Sequence, residues 1–163
     1  MIKTKNRDMK GVGYFAYGSN LNIFQMMKRV GEWTTSKRAF LKGYKLVFNV
    51  KSSRWDGFAA NIKKTGNNKD KVYGVVYFLK KEKIDIMTEY EGPNARLEHM
   101  DVKTEDGSVI NDVVVYRWDN DKPSRIPPKI YGDTILEGLK QHGYGQDVIE
   151  KVRMSFLDKS INR

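Results

Sequence analysis

The chain has 163 residues and a formal charge of +10, from 30 Lys and Arg against 20 Asp and Glu, with two His and no Cys. That length predicts one domain, the missing cysteines exclude disulfides and thiolate metal sites, and no apolar stretch approaches the roughly 20 residues of a membrane-spanning helix. The positive balance raises nucleic acid or an anionic surface as partners, but the basic residues are spread through every segment and match no helix-turn-helix, zinc-finger or aromatic RNA-binding signature.

Only Lys3, Lys5, Arg7 and Lys10, and the run KKTGNNKDK at 63–71, form local clusters, and the second reads as a solvated hairpin loop. The opening MIKTKNRDMK contains no apolar run of the kind a secretory signal needs. The expected organisation is a basic tail at 1–10, one domain at 11–158 and a short tail at 159–163. The expected setting is the cytoplasm, without a nucleic-acid or membrane partner and with the oligomeric state open.

In chain order, a strand is expected at Val12 to Tyr17 and a short helix at Ile23 to Val30, with Asn22 and Gln25 in capping-box spacing. No element is assigned between that helix and the alternating strand YKLVFNV at 44–50. FAANI at 58–62 is a shorter strand, and KVYGVVYFL at 71–79 is apolar on both faces, as a central strand is. A helix follows at 81–91, then strands at 97–104 and 112–118 joined by EDGS, whose Asp-Gly pair signals a turn. Pro127 and Pro128 suit the first turn of a helix running to about His142, and Gly143 and Gly145 separate it from a last helix at 146–157. Strands outnumber helices without strict interleaving, which argues an α+β fold. No internal repeat, low-complexity tract or linker divides the chain.

GYFAYGSNLN, residues 13–22, runs from strand to helix entrance and crowds Gly18, Ser19 and Asn20 into the junction. One reading is a turn in which Gly18 permits a positive φ and Ser19, Asn20 or Asn22 caps the helix. The other uses the same atoms as an anion site, because backbone N–H groups at a helix entrance can hold a carboxylate or a developing oxyanion. Gly11-x-Gly13 precedes the strand and so is no dinucleotide fingerprint. His99 and His142 sit on different elements with no carboxylate at ligand spacing, so no metal site is expected. Asp119 and Asp121 in WDNDKPS read as a polar turn in the absence of a calcium loop.

The words of that junction carry a resemblance. YFAYGSNL (14–21) closely resembles the opening motif of the γ-glutamylcyclotransferase family. WDGFAANI (55–62) looks like the family's Gly-x-Ala strand, KVYGVVYFL like its Val-x-Gly-Val-Val-Tyr strand, YEG (90–92) like its Glu-Gly pair, and PPKIY (127–131) like its Pro-Ser-x-x-Tyr segment. The matches span about Gly13 to Val152. The glutathione-specific branch has Gly-Tyr-Gly-Ser-Leu and the γ-glutamylamine branch Tyr-Gly-Thr-Leu at the first motif, and this chain reads like neither.

The resemblance implies a small mixed β-barrel flanked by helices and an enzyme that converts a γ-glutamyl amine or γ-glutamyl amino acid into 5-oxoproline and a free amine, without cofactor or metal. It implies Glu91 as general acid and base, Tyr17, Gly18, Ser19, Asn20 and Leu21 around the γ-glutamyl group, and Tyr131 as a hydroxyl donor. Helical spacing singles out Glu91 as well: Ile84, Met87, Thr88 and Glu91 share one stripe, while Glu82, Asp85 and Glu89 point elsewhere. Burial and the adjacent helix C-terminus would both raise its pKa. The competing reading is a surface carboxylate at a helix end. Trp55, Phe58 and Tyr73 read first as packing residues and second as neighbours of the pocket. One departure is that PNARLEHM (93–100) has Arg96 but lacks the Tyr that usually follows the Glu-Gly pair, which keeps open a catalytically weak relative that binds a γ-glutamyl or other amino-acid-like ligand, or a binding module for an acidic partner. The leaving amine is open too.

Overall fold

A computed structural model of the chain describes residues 11–157. The expected tails at 1–10 and 159–163, with the basic cluster Lys3 to Lys10 and residue Asp158, lie outside the described residues. The strands are β1 (Val12–Ala16), β2 (Thr35–Lys42), β3 (Tyr44–Ser52), β4 (Gly57–Lys64), β5 (Lys71–Leu79), β6 (Ala95–Thr104) and β7 (Val109–Trp118). A 3₁₀ turn (Ser19–Leu21) follows β1, and the helices are α1 (Ile23–Val30), α2 (Lys81–Glu91), α3 (Lys129–Gln141) and α4 (Gln146–Ser155). Strands β1-β5-β2-β6-β7 close into a barrel, while β3 and β4 form a separate ribbon. The barrel is mixed because β1 meets β7 in parallel at Tyr14 and Val114, whereas the other pairs are antiparallel. This is the expected α+β class with a small barrel flanked by helices.

β5 is the spine of the barrel. It pairs with β1 on one side and with β2 along eight positions on the other, and from Val75 to Leu79 it is buried on both faces. That explains its unbroken apolar run, since a central strand with both faces covered has no polar side to show. Tyr77 is fully buried, and its hydroxyl donates to the Asn20 carbonyl at 2.8 Å, tying the spine to the turn after β1.

Several expectations shift. β2 is an element that the sequence reading did not assign. Its sequence TSKRAFLK looks polar because only Ala39 and Leu41 are fully buried, and its place is secured by backbone pairing with β5. The capping box forms only by half: Asn22 Oδ1 accepts from the amides of Phe24 and Gln25, but the Gln25 side chain turns to Ser19 and Asn20. β1 ends at Ala16, β6 and β7 begin earlier than expected, and Pro128 is the N-cap of α3, which ends one residue before His142. Gly138 of α3 lies against the 3₁₀ turn so closely that a Cβ there would sit 2.4 Å from the Leu21 carbonyl carbon, so α3 can rest on this turn only with a glycine at that point.

The segment after β7 is pinned across the β3–β4 ribbon. Asn61 exchanges hydrogen bonds with the Trp118 backbone at 2.9 Å in both directions, Asn49 Nδ2 donates to the Lys122 carbonyl at 3.1 Å, and buried Ser124 accepts from the Phe48 amide at 2.8 Å. This stitching matters because ribbon and segment together form one wall of the cavity described next.

Candidate active site

A cavity of about 650 Å³ opens where the turn after β1, the end of α2, the β3–β4 turn, the end of β7 and the start of α3 converge. Tyr17, Gly18, Ser19, Asn20, Glu91, Trp55 and Tyr131 all line it. Leu21 does not: it is 1% exposed, in the core beneath the turn, and its carbonyl meets the Tyr77 hydroxyl and His142 Nε2. Phe58 and Tyr73 lie outside the lining as well, Tyr73 packing against Phe40 and Tyr144.

Glu91 is placed by α2. Ile84 and Met87 anchor the helix in the core, and Thr88 Oγ1 pairs with the Tyr116 hydroxyl of β7 at 2.7 Å. Gly92 then stops the helix at φ 88, with its amide closing on the Thr88 carbonyl at 3.1 Å. The carboxyl group reaches the cavity and makes no hydrogen bond or ion pair among the described residues. Burial pushes its pKa up from the usual 4.5 to about 7, while the nearby charges of Arg29 and Arg54 oppose that rise. A carboxyl poised there is about equally ready to take and to give a proton at neutral pH.

The turn itself divides into structural and available groups. The Asn20 side chain is fully engaged, donating to Tyr14 Oη at 3.0 Å and toward Met87 Sδ at 3.2 Å and accepting from Gln25 at 3.1 Å and Arg29 at 3.0 Å. Tyr17 donates its hydroxyl to the Tyr116 carbonyl at 2.6 Å. The backbone amides of Ser19 and Asn20 donate to no carbonyl among the described residues, though the Ser19 amide acts on the Tyr131 hydroxyl oxygen. Tyr131 Oη accepts from the Ala60 amide at 2.9 Å, and its own hydrogen is given to no acceptor among the described residues. Burial raises the pKa of Tyr14, Tyr17 and Tyr131 well above that of an ordinary phenol, so all three remain neutral hydrogen-bonding groups.

Gly18 corrects one expectation. Its φ is −109, so positive φ is not what requires glycine. Space is: a Cβ would lie 3.1 Å from Tyr131 Oη and 3.3 Å from the Ala60 methyl. Gly18 thus lets the turn and Tyr131 share one wall.

Sequence reasoning missed Arg29, Arg54, Tyr90, Tyr14 and Tyr116. Arg29 was within reach, because it lies three residues after buried Met26 on α1 and flanks the buried face. The loop Gly92–Asn94, in which the usual Tyr is missing, does border the cavity. Arg96 and Asp119 pair at 3.0 Å. Among the described residues no group of His, Asp or Glu could hold a metal ion, and no helix is long and apolar enough to cross a membrane.

The chain is similar to known proteins in sequence and in fold. Residues 14–134 match the family model described as gamma-glutamyl cyclotransferase, AIG2-like. A gamma-glutamylcyclotransferase of Mus musculus is 30% identical over 149 residues, covering 86% of this chain and 76% of that protein. Among solved structures, a gamma-glutamyl cyclotransferase superposes with a TM-score of 0.74 at 27% identity, over 87% of this chain and 86% of that one. An uncharacterized protein from Homo sapiens superposes with a TM-score of 0.75 at 28% identity, over 88% and 87%. With the first motif and the Glu-Gly pair inside the matched span of 14–134, the chain belongs to the gamma-glutamyl cyclotransferase, AIG2-like, family.

Proposed function

We propose that the chain cyclises a γ-glutamyl amide to 5-oxoproline and releases the amine, with Glu91 carrying the proton. The observation that carries this reading is the unpaired Glu91 carboxyl, held at about pH 7 in a cavity whose other wall is the 18–20 turn. The nucleophile is the substrate's own α-nitrogen, which attacks the γ-carbonyl carbon. A C–N bond forms in the ring and the C–N bond to the leaving amine breaks. The α-ammonium gives up two protons and the leaving nitrogen gains two, so the balance needs no co-reactant. Holding the chain curled supplies proximity, an effect worth about 7–11 kcal/mol where alignment is good. In this reading the Asn20 amide and the Tyr131 hydroxyl, toward which the Ser19 amide points, receive the polar atoms of the γ-glutamyl group and the developing oxyanion.

The test is a panel of γ-glutamyl dipeptides and γ-glutamyl amines assayed for 5-oxoproline, with and without EDTA. Release of 5-oxoproline from at least one compound, undiminished by the chelator, is expected. Binding without release across the panel would leave the chain a binding module instead.

Gly18→Val is expected to weaken ligand binding roughly tenfold, because overpacking this wall costs about 1–3 kcal/mol. Titration calorimetry with a substrate from the panel reads the change. Unchanged affinity would remove the turn from the site.

A further inference from the structure

The cavity carries more positive charge than its own acids answer. Arg29 of α1, Lys51 and Arg54 of the β3–β4 end and Lys122 after β7 all line it, and none of them enters an ion pair among the described residues. Glu91 and Asp119 are the acids of the lining. Asp119 is already held by Arg96 at 3.0 Å and Arg117 at 3.8 Å. Glu91, titrating at about 7, carries only part of a charge at neutral pH.

Arg29 is the informative member. Its guanidinium is half-buried, and burial and the like charge of Arg54 both disfavour its protonated form. Its hydrogen-bond acceptor is neutral, Asn20 Oδ1 at 3.0 Å. Tyr90 gathers the two guanidinium groups, with Arg29 Cζ 5.0 Å and Arg54 Cζ 5.2 Å from the ring centroid, within the range of a cation–π contact. Two like charges brought together, Arg29 half-buried and Arg54 exposed, with Glu91 as the one carboxylate acting on both, are unfavourable until a further anion joins them. A γ-glutamyl compound brings one α-carboxylate, and an ordinary amino acid as leaving group brings one more. Two anions leave part of this charge unanswered.

Resting on the reaction proposed above, we infer that the Arg29–Arg54 pair, backed by Lys51 and Lys122, selects a leaving amino acid that bears a side-chain carboxylate. The favoured substrate class is then a γ-glutamyl dipeptide with an acidic second residue. The cavity of about 650 Å³ is within the usual range of small-ligand sites.

γ-Glutamyl-glutamate and γ-glutamyl-glutamine differ by one charge at nearly constant shape, so their kcat/KM ratio on the full chain isolates this effect. The acid is expected to be favoured about tenfold at low ionic strength, equivalent to about 1.4 kcal/mol, and the preference should shrink as salt screens the exposed cations. Arg54→Gln should bring the ratio toward one, mainly through KM for the acidic dipeptide. Lys151→Gln, at an exposed position on α4 away from the cavity, should leave the ratio as in the parent. Equal kcat/KM for the two dipeptides, a preference for the amide, or an equal effect of Lys151→Gln overturns the inference, and 5-oxoproline from either dipeptide would still uphold the reaction. No 5-oxoproline from either dipeptide, nor from the wider panel, would remove the reaction and the inference with it.

Discussion

Glu91→Gln is expected to lower kcat about 10²- to 10⁴-fold, the usual worth of a positioned acid–base group, while leaving the fold intact. Glutamine keeps the shape of the side chain but cannot carry the proton. No structural partner is lost, because the carboxyl makes no hydrogen bond or ion pair among the described residues. Stability should in fact rise. A carboxyl whose pKa goes from 4.5 unfolded to about 7 folded favours the folded state fully below pH 4.5, and that contribution is lost as pH rises through 7. The substitution removes this pH dependence, so the variant should melt above the parent at pH 8, with the gap closing toward pH 4.5. Activity and Tm moving in opposite directions is the signature of a group kept for chemistry at a cost in stability. Turnover within a fewfold of the parent would reassign the proton transfer to another group.

How much of this was legible follows from which forces hold each part. β5 and α2 were readable because their buried faces are written in unbroken or helix-spaced apolar residues, from Val72 to Leu79 and at Ile84 and Met87. β2 was not, because its pairing runs through backbone atoms and leaves charged side chains such as Lys37 outward. The 18–20 turn was legible as a motif, but its division of labour was not. The saturation of Asn20 depends on Tyr14, Met87, Gln25 and Arg29, which meet only once the barrel closes. Leu21 shows the same limit, since a motif position does not say which side of the turn faces the cavity. Tyr90, Arg29 and Arg54 come from three elements distant in sequence, and no local pattern brings them together.

The pH profile separates the chemistry from its surroundings. Glu91 must be ionised to accept a proton from the substrate's α-ammonium, so kcat/KM should fall about tenfold per unit below pH 7 and stand roughly 100-fold down at pH 5. A carboxylate of ordinary pKa would be a poor acceptor for the α-ammonium, whose neighbouring free α-carboxylate holds its pKa above the peptide α-amino range of about 7.7–8.0, and raising the acid from 4.5 to about 7 narrows that gap. The neighbouring phenols Tyr14, Tyr17, Tyr116 and Tyr131 are all shifted upward and so contribute nothing to an acid limb. His142, whose pKa burial lowers, titrates on the acid side, but it sits under Leu21 and would persist in Glu91→Gln. Arg54 holds the Glu91 pKa down, so Arg54→Gln should move the limb to higher pH. Acid unfolding through Glu91 is not a rival explanation, because protonating this group stabilises the folded state. An acid limb near 4.5, or one that survives in the residual activity of Glu91→Gln, would take the proton chemistry away from this carboxyl.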